Sequence, residues 1–160
     1  ATKLPLKIKQ KTTVFKVSGL VNGDSVASWK SGNTKVVKVS GKPNGTCTLA
    51  AGSKTGRTTV TIILKSGLKK KITITVQKTA VKTSKITGIP KNLKLKKNQT
   101  VALKAAVAPL TSLQKLKYKS SNKKIVTVTS KGVIKAKKKG KAVITVQSGS
   151  KTVKCKVTVK

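Results

Sequence analysis

Apolar and polar residues alternate along much of this chain. Ile72, Ile74 and Val76 alternate with Lys71, Thr73 and Thr75, and Cys155, Val157 and Val159 alternate with Lys154, Lys156 and Thr158. A period of two places one set of side chains on a core and the other in water, as in a half-buried strand. Val, Ile and Thr dominate these segments, as a pleated surface favours. Lys is the main outward residue, its stem covering apolar surface while its head stays wet. No segment carries an i, i+3, i+4 stripe, so no helix is predicted. Turn pairs recur at Ser18-Gly19, Asn22-Gly23, Asn44-Gly45, Ser66-Gly67 and Ser148-Gly149. Short strands between such turns predict an all-β chain built of sandwiches or barrels.

The pattern occurs twice. Residues 28–40 (S-W-K-S-G-N-T-K-V-V-K-V-S) align with 117–129 (K-Y-K-S-S-N-K-K-I-V-T-V-T), matching Trp29 to Tyr118, Ser31 to Ser120, Asn33 to Asn122, Val37 to Val126 and Val39 to Val128. G-R-T-T-V-T-I at 56–62 parallels G-K-A-V-I-T-V at 140–146, and 71–76 parallels 154–159. Near the start, L-K-I-K at 6–9 is like L-K-L-K at 93–96. The offset drifts along the chain, and most of the shift is expected between Gly45 and Gly56, where the first copy has the longer connection. Two small domains are predicted, 1–79 and 80–160, each of sensible size. Gln77–Lys85 is polar, lacks Gly and Pro, and reads as a short connection into the first strand of the second copy.

A strand-borne aromatic, S-x-N-x-x-V-x-x-V, a G-x-x-x-A hairpin, G-x-A-x-I-T-V and a closing K-x-x-V-T-V strand together resemble the bacterial immunoglobulin-like domain group 2 family. In the second copy the resemblance runs from Ile86 to Val159 through Tyr118, Ser120, Ser121, Asn122, Val126, Val128, Gly132, Ala136, Gly140, Ile144, Thr145 and Val146. In the first it runs through Trp29, Ser31, Asn33, Val37, Val39, Gly56 and Thr61; Gly32 replaces a second Ser, and the first strand is abbreviated. The resemblance implies two tandem Ig-like β-sandwich domains, an exported protein at the bacterial surface or outside the cell, and a larger multi-domain chain. It implies no catalysis and no single ligand, since members serve as spacers, adhesin repeats or appendages of hydrolases, and fold alone does not settle function.

Composition narrows the chemistry. Hydrophobic residues make up 36% of the 160 residues, enough for a core despite a net charge of +37, so the chain is not read as disordered. There is no His and no Glu, and Asp24 is the single acid. Paired-carboxylate hydrolysis and a Ser-His-Asp triad are excluded, as are zinc and calcium sites, for which Cys47, Cys155 and Asp24 are too few ligands. No cofactor is implied. No run of 18 apolar residues predicts a transmembrane segment, and Ala1–Gln10 lacks the apolar stretch of a signal peptide. Ser-x-x-Lys occurs at Ser66, Ser112, Ser120 and Ser148, as chance supplies in so Lys-rich a chain, without a supporting motif. G-S-K-T-G-R-T at 52–58 lacks phosphate-loop spacing and a following helix. Asn44-Gly-Thr and Asn98-Gln-Thr match a glycosylation triplet that loops produce easily.

The cysteines and aromatics read as core. Cys155 stands where the first copy has Ile72, and aligning Gly45 with Gly132 sets Cys47 where the second has Ile134, so each replaces an aliphatic residue as a small hydrophobe. Phe15, Trp29 and Tyr118 are the only aromatics. Trp29 and Tyr118 hold a position commonly filled by a core ring in Ig-like sandwiches, which leaves no spare platform for stacking on bases or sugars.

The lysines remain. Through Thr79 the chain holds 15 Lys, Arg57 and Asp24, a net of +15; beyond it lie 22 Lys and no acid, a net of +22. Three runs stand out: Lys135, Lys137, Lys138, Lys139 and Lys141; Lys69, Lys70 and Lys71; and Lys115, Lys117, Lys119, Lys123 and Lys124. Outward Lys prevents edge-to-edge pairing, but that needs charge, not one-sided charge. Removing the acids leaves self-repulsion that an anionic partner relieves. Lys without Arg gives geometry-tolerant attraction rather than bidentate recognition. The expected partners are anionic polymers: cell-wall polymers first, then anionic glycans or non-specific DNA. Sequence-specific nucleic-acid reading is not expected, for want of a recognition helix or RNA-binding signature. The alternatives are a spacer that presents another domain and binds nothing, and an adhesin repeat with a specific host glycan or protein receptor.

Overall fold

The alternation becomes strands throughout. The structure, a computed structural model, describes residues 3–160; the first two residues of the Ala1–Gln10 segment and of the 1–79 copy lie outside the described residues. The chain divides into a first unit ending at Val81 and a second spanning Lys82–Lys160. No helix occurs among the described residues.

In the first unit, β1 (Lys3–Lys7), β3 (Val26–Ser31), β6 (Gly56–Leu64) and β7 (Lys69–Gln77) form a four-stranded sheet in the order β1-β7-β6-β3. β2 (Lys11–Thr12), β4 (Val37–Gly41) and β5 (Cys47–Ala51) form a second sheet, β2-β5-β4. The second unit repeats this plan. β9 (Asn92–Leu95), β12 (Lys117–Ser120), β15 (Gly140–Ser148) and β16 (Lys151–Val159) form one sheet, β12-β15-β16-β9. β10 (Thr100–Ala102), β13 (Val126–Val128) and β14 (Val133–Ala136) form the other, and β8 (Lys85–Thr87) pairs with β11 (Ala106–Ala108). In each unit an early strand, β1 or β9, lies parallel to the closing one, Leu6 beside Val76 and Leu95 beside Val159.

Each unit has its own core. Leu4, Leu6, Val26, Val60, Ile62, Ile72, Ile74 and Val76 of one sheet meet Val37, Cys47 and Leu49 of the other, and Phe15 joins them from the connecting loop. In the second unit Leu95, Ala142, Ile144, Val146, Cys155, Val157 and Val159 meet Val126, Ile134 and Ala136, with Ile86 added from β8. Each fully buried Val, Ile or Leu contributes about 1.5–3 kcal/mol, so the alternating positions carry the fold. These are Ig-like sandwiches.

The S-x-N motif builds the same turn twice. Asn33 N–H donates to Ser31 Oγ (3.3 Å), Lys35 N–H to Asn33 Oδ1 (3.0 Å) and Val37 N–H to Asn33 O (3.0 Å). Asn122, Lys124 and Val126 repeat these bonds at 3.3, 3.0 and 3.0 Å. The short polar side chains bond locally and satisfy backbone groups that leave the sheet.

Cross-strand register corrects three alignments. Asn92–Leu95 pairs with Lys156–Val159 as Lys3–Leu6 pairs with Thr73–Val76, so Leu4-Pro5-Leu6-Lys7, not residues 6–9, matches residues 93–96. Lys9 (φ 61°) and Asn98 (φ 67°) then hold the same left-handed turn position, each one residue before a Gln whose side chain accepts from the backbone of Lys7 or Lys96. Val39 lies opposite Leu49 as Val128 lies opposite Ile134, so Leu49, not Cys47, occupies the place of Ile134. Cys47 lies opposite Gly41. The extra residues of the first copy therefore fall mainly in the β4–β5 hairpin, not after Gly45. Among the described residues the first unit has no counterpart of the β8–β11 pair, and β1, with five residues against four in its counterpart β9, is not the abbreviated strand expected.

Candidate functional site

The rings and thiols are structural, though the rings are less enclosed than expected. Trp29 and Tyr118 project from β3 and β12 on the core side, opposite Ile62 and Val146, but both are half-buried. Each lies over a glycine of the facing hairpin. A Cβ on Gly41 would run into the Trp29 indole, and one on Gly132 would come within 2.9 Å of Tyr118 Cζ. Trp29 also meets Phe15 edge-on at 6.3 Å. Tyr118 borders a depression with Lys119 and Lys123, and burial pushes its phenol up. Cys47 and Cys155 are free and buried in their own units' cores. Burial raises both thiols, Cys47 to about 11, which keeps them in the unreactive protonated form at neutral pH.

A hollow of about 420 Å³ in the first unit is lined by Phe15, Ile62, Leu64, Leu68 and Ile72, with Lys16, Lys69 and Lys70 at its rim. In the second unit the residues matching Phe15, Ile62 and Ile72 (Leu103, Val146 and Cys155) share a core cluster with Ile86 of β8. Phe15, Ile62 and Ile72 of its lining belong to the first unit's own core cluster, and Leu64 packs against it.

The lysine runs do not stay together. Lys135 pairs with Thr127 and Thr100 on the outer face of the three-stranded sheet. Lys141 pairs with Thr158 on the outer face of the four-stranded sheet, and Lys137, Lys138 and Lys139 occupy the turn between. Lys69 and Lys71 point outward from β7, whereas Lys70 lies opposite the inward Ile62. Lys117 and Lys119 point outward from β12; Lys115 precedes that strand, and Lys123 and Lys124 follow it in the S-x-N turn.

Pairing assembles a different set. Lys137 N–H and Lys138 N–H both donate to Ile125 O, at 2.8 and 3.4 Å, which sets the turns carrying Lys137–Lys139 and Lys123–Lys124 side by side. Beside them runs the outer face of the four-stranded sheet. Its rows are Lys119–Thr145–Lys154, then Ser121–Val143–Lys156–Asn92, then Lys141–Thr158–Lys94. A shallow groove of about 590 Å³ crosses it, lined by Lys91, Asn92, Ser121, Val143, Thr145, Lys154 and Lys156. An adjoining depression of about 350 Å³ extends it to Lys141. All these lysines are exposed. Lys91, Lys94, Lys154 and Lys156 were not singled out from sequence, where they stand far apart; register alone unites them.

The site is thus a cationic sheet face without an acid, a metal-binding cluster among the described residues, or a ring in its groove. It can attract anions and donate hydrogen bonds. A sequence profile of the bacterial Ig-like domain (group 2) matches residues 80–159, half of the chain. The chain belongs to that family. A kappa-carrageenase of Pseudoalteromonas carrageenovora is 44% identical over 66 residues, 41% of this Ig-like chain and 17% of that enzyme, so the match spans a small part of that longer protein. Among solved structures, domains 5–6 of the S-layer protein SbsC match the whole Ig-like chain and 95% of their own length at 22% identity and a TM-score of 0.49. A longer SbsC structure, residues 31–844, matches 90% of this chain and 21% of its own length at 22% identity and a TM-score of 0.47.

Proposed function

We propose that this chain is a non-catalytic Ig-like module of a bacterial surface or secreted protein, and that it holds anionic polymers, cell-envelope polymers first, through the lysines of its second unit. The observation that carries this reading is the continuous cationic surface formed by the paired end turns and the outer face of the β12-β15-β16-β9 sheet. At physiological salt the Debye length is about 8 Å, so lysines on alternate strand positions, about 7 Å apart, repel one another. A polyanion replaces that repulsion with attraction and releases its own counterions.

The reading is tested by passing the full chain over isolated wall polymer at rising salt. Retention at physiological salt and release by about 0.5 M, where the Debye length is only a few ångströms, is the expected result. Retention that ignores salt overturns the electrostatic reading. No retention at physiological salt overturns binding itself and leaves the spacer role.

A further inference from the structure

We infer that the groove on the outer face of the second unit's four-stranded sheet is a binding site for a linear acidic polysaccharide. This rests on the anionic-polymer reading and narrows it to one place and one ligand class. The groove offers three complementary surfaces. Lys91, Lys154 and Lys156 stand along it as ammonium donors. Lys154 and Lys156 are about 7 Å apart on one face of β16, and Lys119, in the row of Lys154, is two strands away at about 9.5 Å. Acid groups repeating along a sugar chain can meet such a grid; a single small anion would engage only one or two of its positions.

Between the lysines lie groups suited to sugar hydroxyls. Ser121 Oγ accepts from Val143 N–H at 2.8 Å, which leaves its O–H free to donate outward. No hydrogen bond occupies the side chains of Asn92 or Thr145 among the described residues, so an amide and a hydroxyl are also available. Val143 supplies a small apolar floor for the C–H face of a sugar ring.

Nucleic acid fits less well. No aromatic side chain lines the groove, and bases of single strands stack on such rings. The surface is a broad sheet face rather than a helix or ribbon shaped to enter a duplex groove. Arg, which recognises phosphate bidentately, is absent from it.

The first unit carries only part of the feature. At the same register positions Lys30, Thr61 and Lys71 match Lys119, Thr145 and Lys154, but Thr73 replaces Lys156, Gly32 replaces Ser121 and Pro5 replaces Lys94. Thr73 also shows that Thr is accommodated at the position of Lys156.

The test is titration calorimetry of the full chain at physiological salt with dextran sulfate, polygalacturonate, uncharged dextran and duplex DNA. Binding to either acidic polysaccharide but not to uncharged dextran is expected, and the tighter arm tells sulfate from carboxylate. Lys154→Thr with Lys156→Thr should weaken binding about five- to thirty-fold with an unchanged unfolding midpoint. Lys154→Arg with Lys156→Arg should retain it. Lys131→Thr with Lys135→Thr removes the same charge away from the groove and should change affinity less than about three-fold. Equal losses in the two Thr pairs overturn the groove while sparing the anionic-polymer reading. DNA bound as tightly as the polysaccharides overturns the ligand class. Failure of the wild-type chain to bind any polyanion removes the anionic-polymer reading and this inference with it.

Discussion

The two units share inward residues and differ over part of their outward faces. Strand for strand, Val60 stands as Ile144, Ile74 as Val157 and Val76 as Val159, and three bonds of the S-x-N turn recur in both. Outward, the second unit sets Lys156, Ser121 and Lys94 where the first has Thr73, Gly32 and Pro5, and its end turn carries Lys137–Lys139 where the first has Gly52–Lys54. A sandwich core is close-packed and tolerates little volume change, whereas an outward strand position asks only for a side chain that suits a pleat. Two copies of one fold can therefore keep a common interior while one of them gathers charge.

The largest effect that would break this comparison lies under the rings. Each unit seats its half-buried ring on a glycine, but on opposite strands of the hairpin, Gly41 on β4 and Gly132 just before β14. Gly132→Ala places a methyl against Tyr118 and a side chain at φ 79°, and should cost the second unit about 2–4 kcal/mol. Gly41→Ala collides with Trp29 at a position where no left-handed φ is required, and should cost the first unit about 1–3 kcal/mol. Trp29 and Tyr118 are the chain's only Trp and Tyr, so urea unfolding followed by Trp emission reads one unit and by Tyr absorbance the other. A loss of equal size in both units for either variant would show that the ring contacts are not local.

These glycines mark where sequence reasoning stopped. Strands, turns and the repeat were legible because alternation and the S-x-N spacing are local patterns. The hairpin insertion was misplaced because Gly45 and Gly132 both sit in turns with positive φ, which invites aligning them; only the pairing of Val39 with Leu49 and Val128 with Ile134 shows otherwise. The groove was hidden for a related reason. Runs such as Lys135–Lys141 stand out in a sequence, yet the pleat and a change of sheet send them to opposite faces. Asn92, Ser121, Val143 and Lys156 lie in one row although up to 64 residues separate them.

A smaller effect sharpens the comparison at Gly32. Ser121 N–H donates to Val143 O and Ser121 Oγ accepts from Val143 N–H, at 2.9 and 2.8 Å. Gly32 N–H makes the first bond, to Thr59 O at 2.8 Å, and has no hydroxyl for the second. A Cβ there meets nothing closer than 3.4 Å. Gly32→Ser should therefore stabilise the first unit by about 0.5–1.5 kcal/mol, through the restored bond and a less flexible unfolded chain. The Trp29 transition should move to higher urea while the Tyr118 transition stays; a destabilised first unit would mean that the two turns differ in more than this side chain.

The smallest effect is a difference in acid response. Asp24 is the chain's only acidic side chain and belongs to the first unit. Its Oδ2 accepts from Ser66 Oγ at 2.7 Å and its Oδ1 from Ser25 N–H at 2.8 Å, tying the approach to β3 to the β6–β7 hairpin. The Ser66 hydroxyl, joined by these backbone donors, holds the carboxyl below its ordinary value. A lowered folded value means that the unfolded chain takes up the proton first, so the stabilisation is present above the unfolded value of about 3.8 and fades as pH falls through the folded one. Below about pH 4 the Trp29 transition should therefore shift to lower urea, and Asp24→Asn should abolish the shift. The second unit has neither an acidic side chain nor a His, so its Tyr118 transition should stay nearly level over the same range. If it falls in parallel, the response does not come from the local bonds of this one carboxylate, because the second unit then weakens without an acidic side chain of its own to take up the proton.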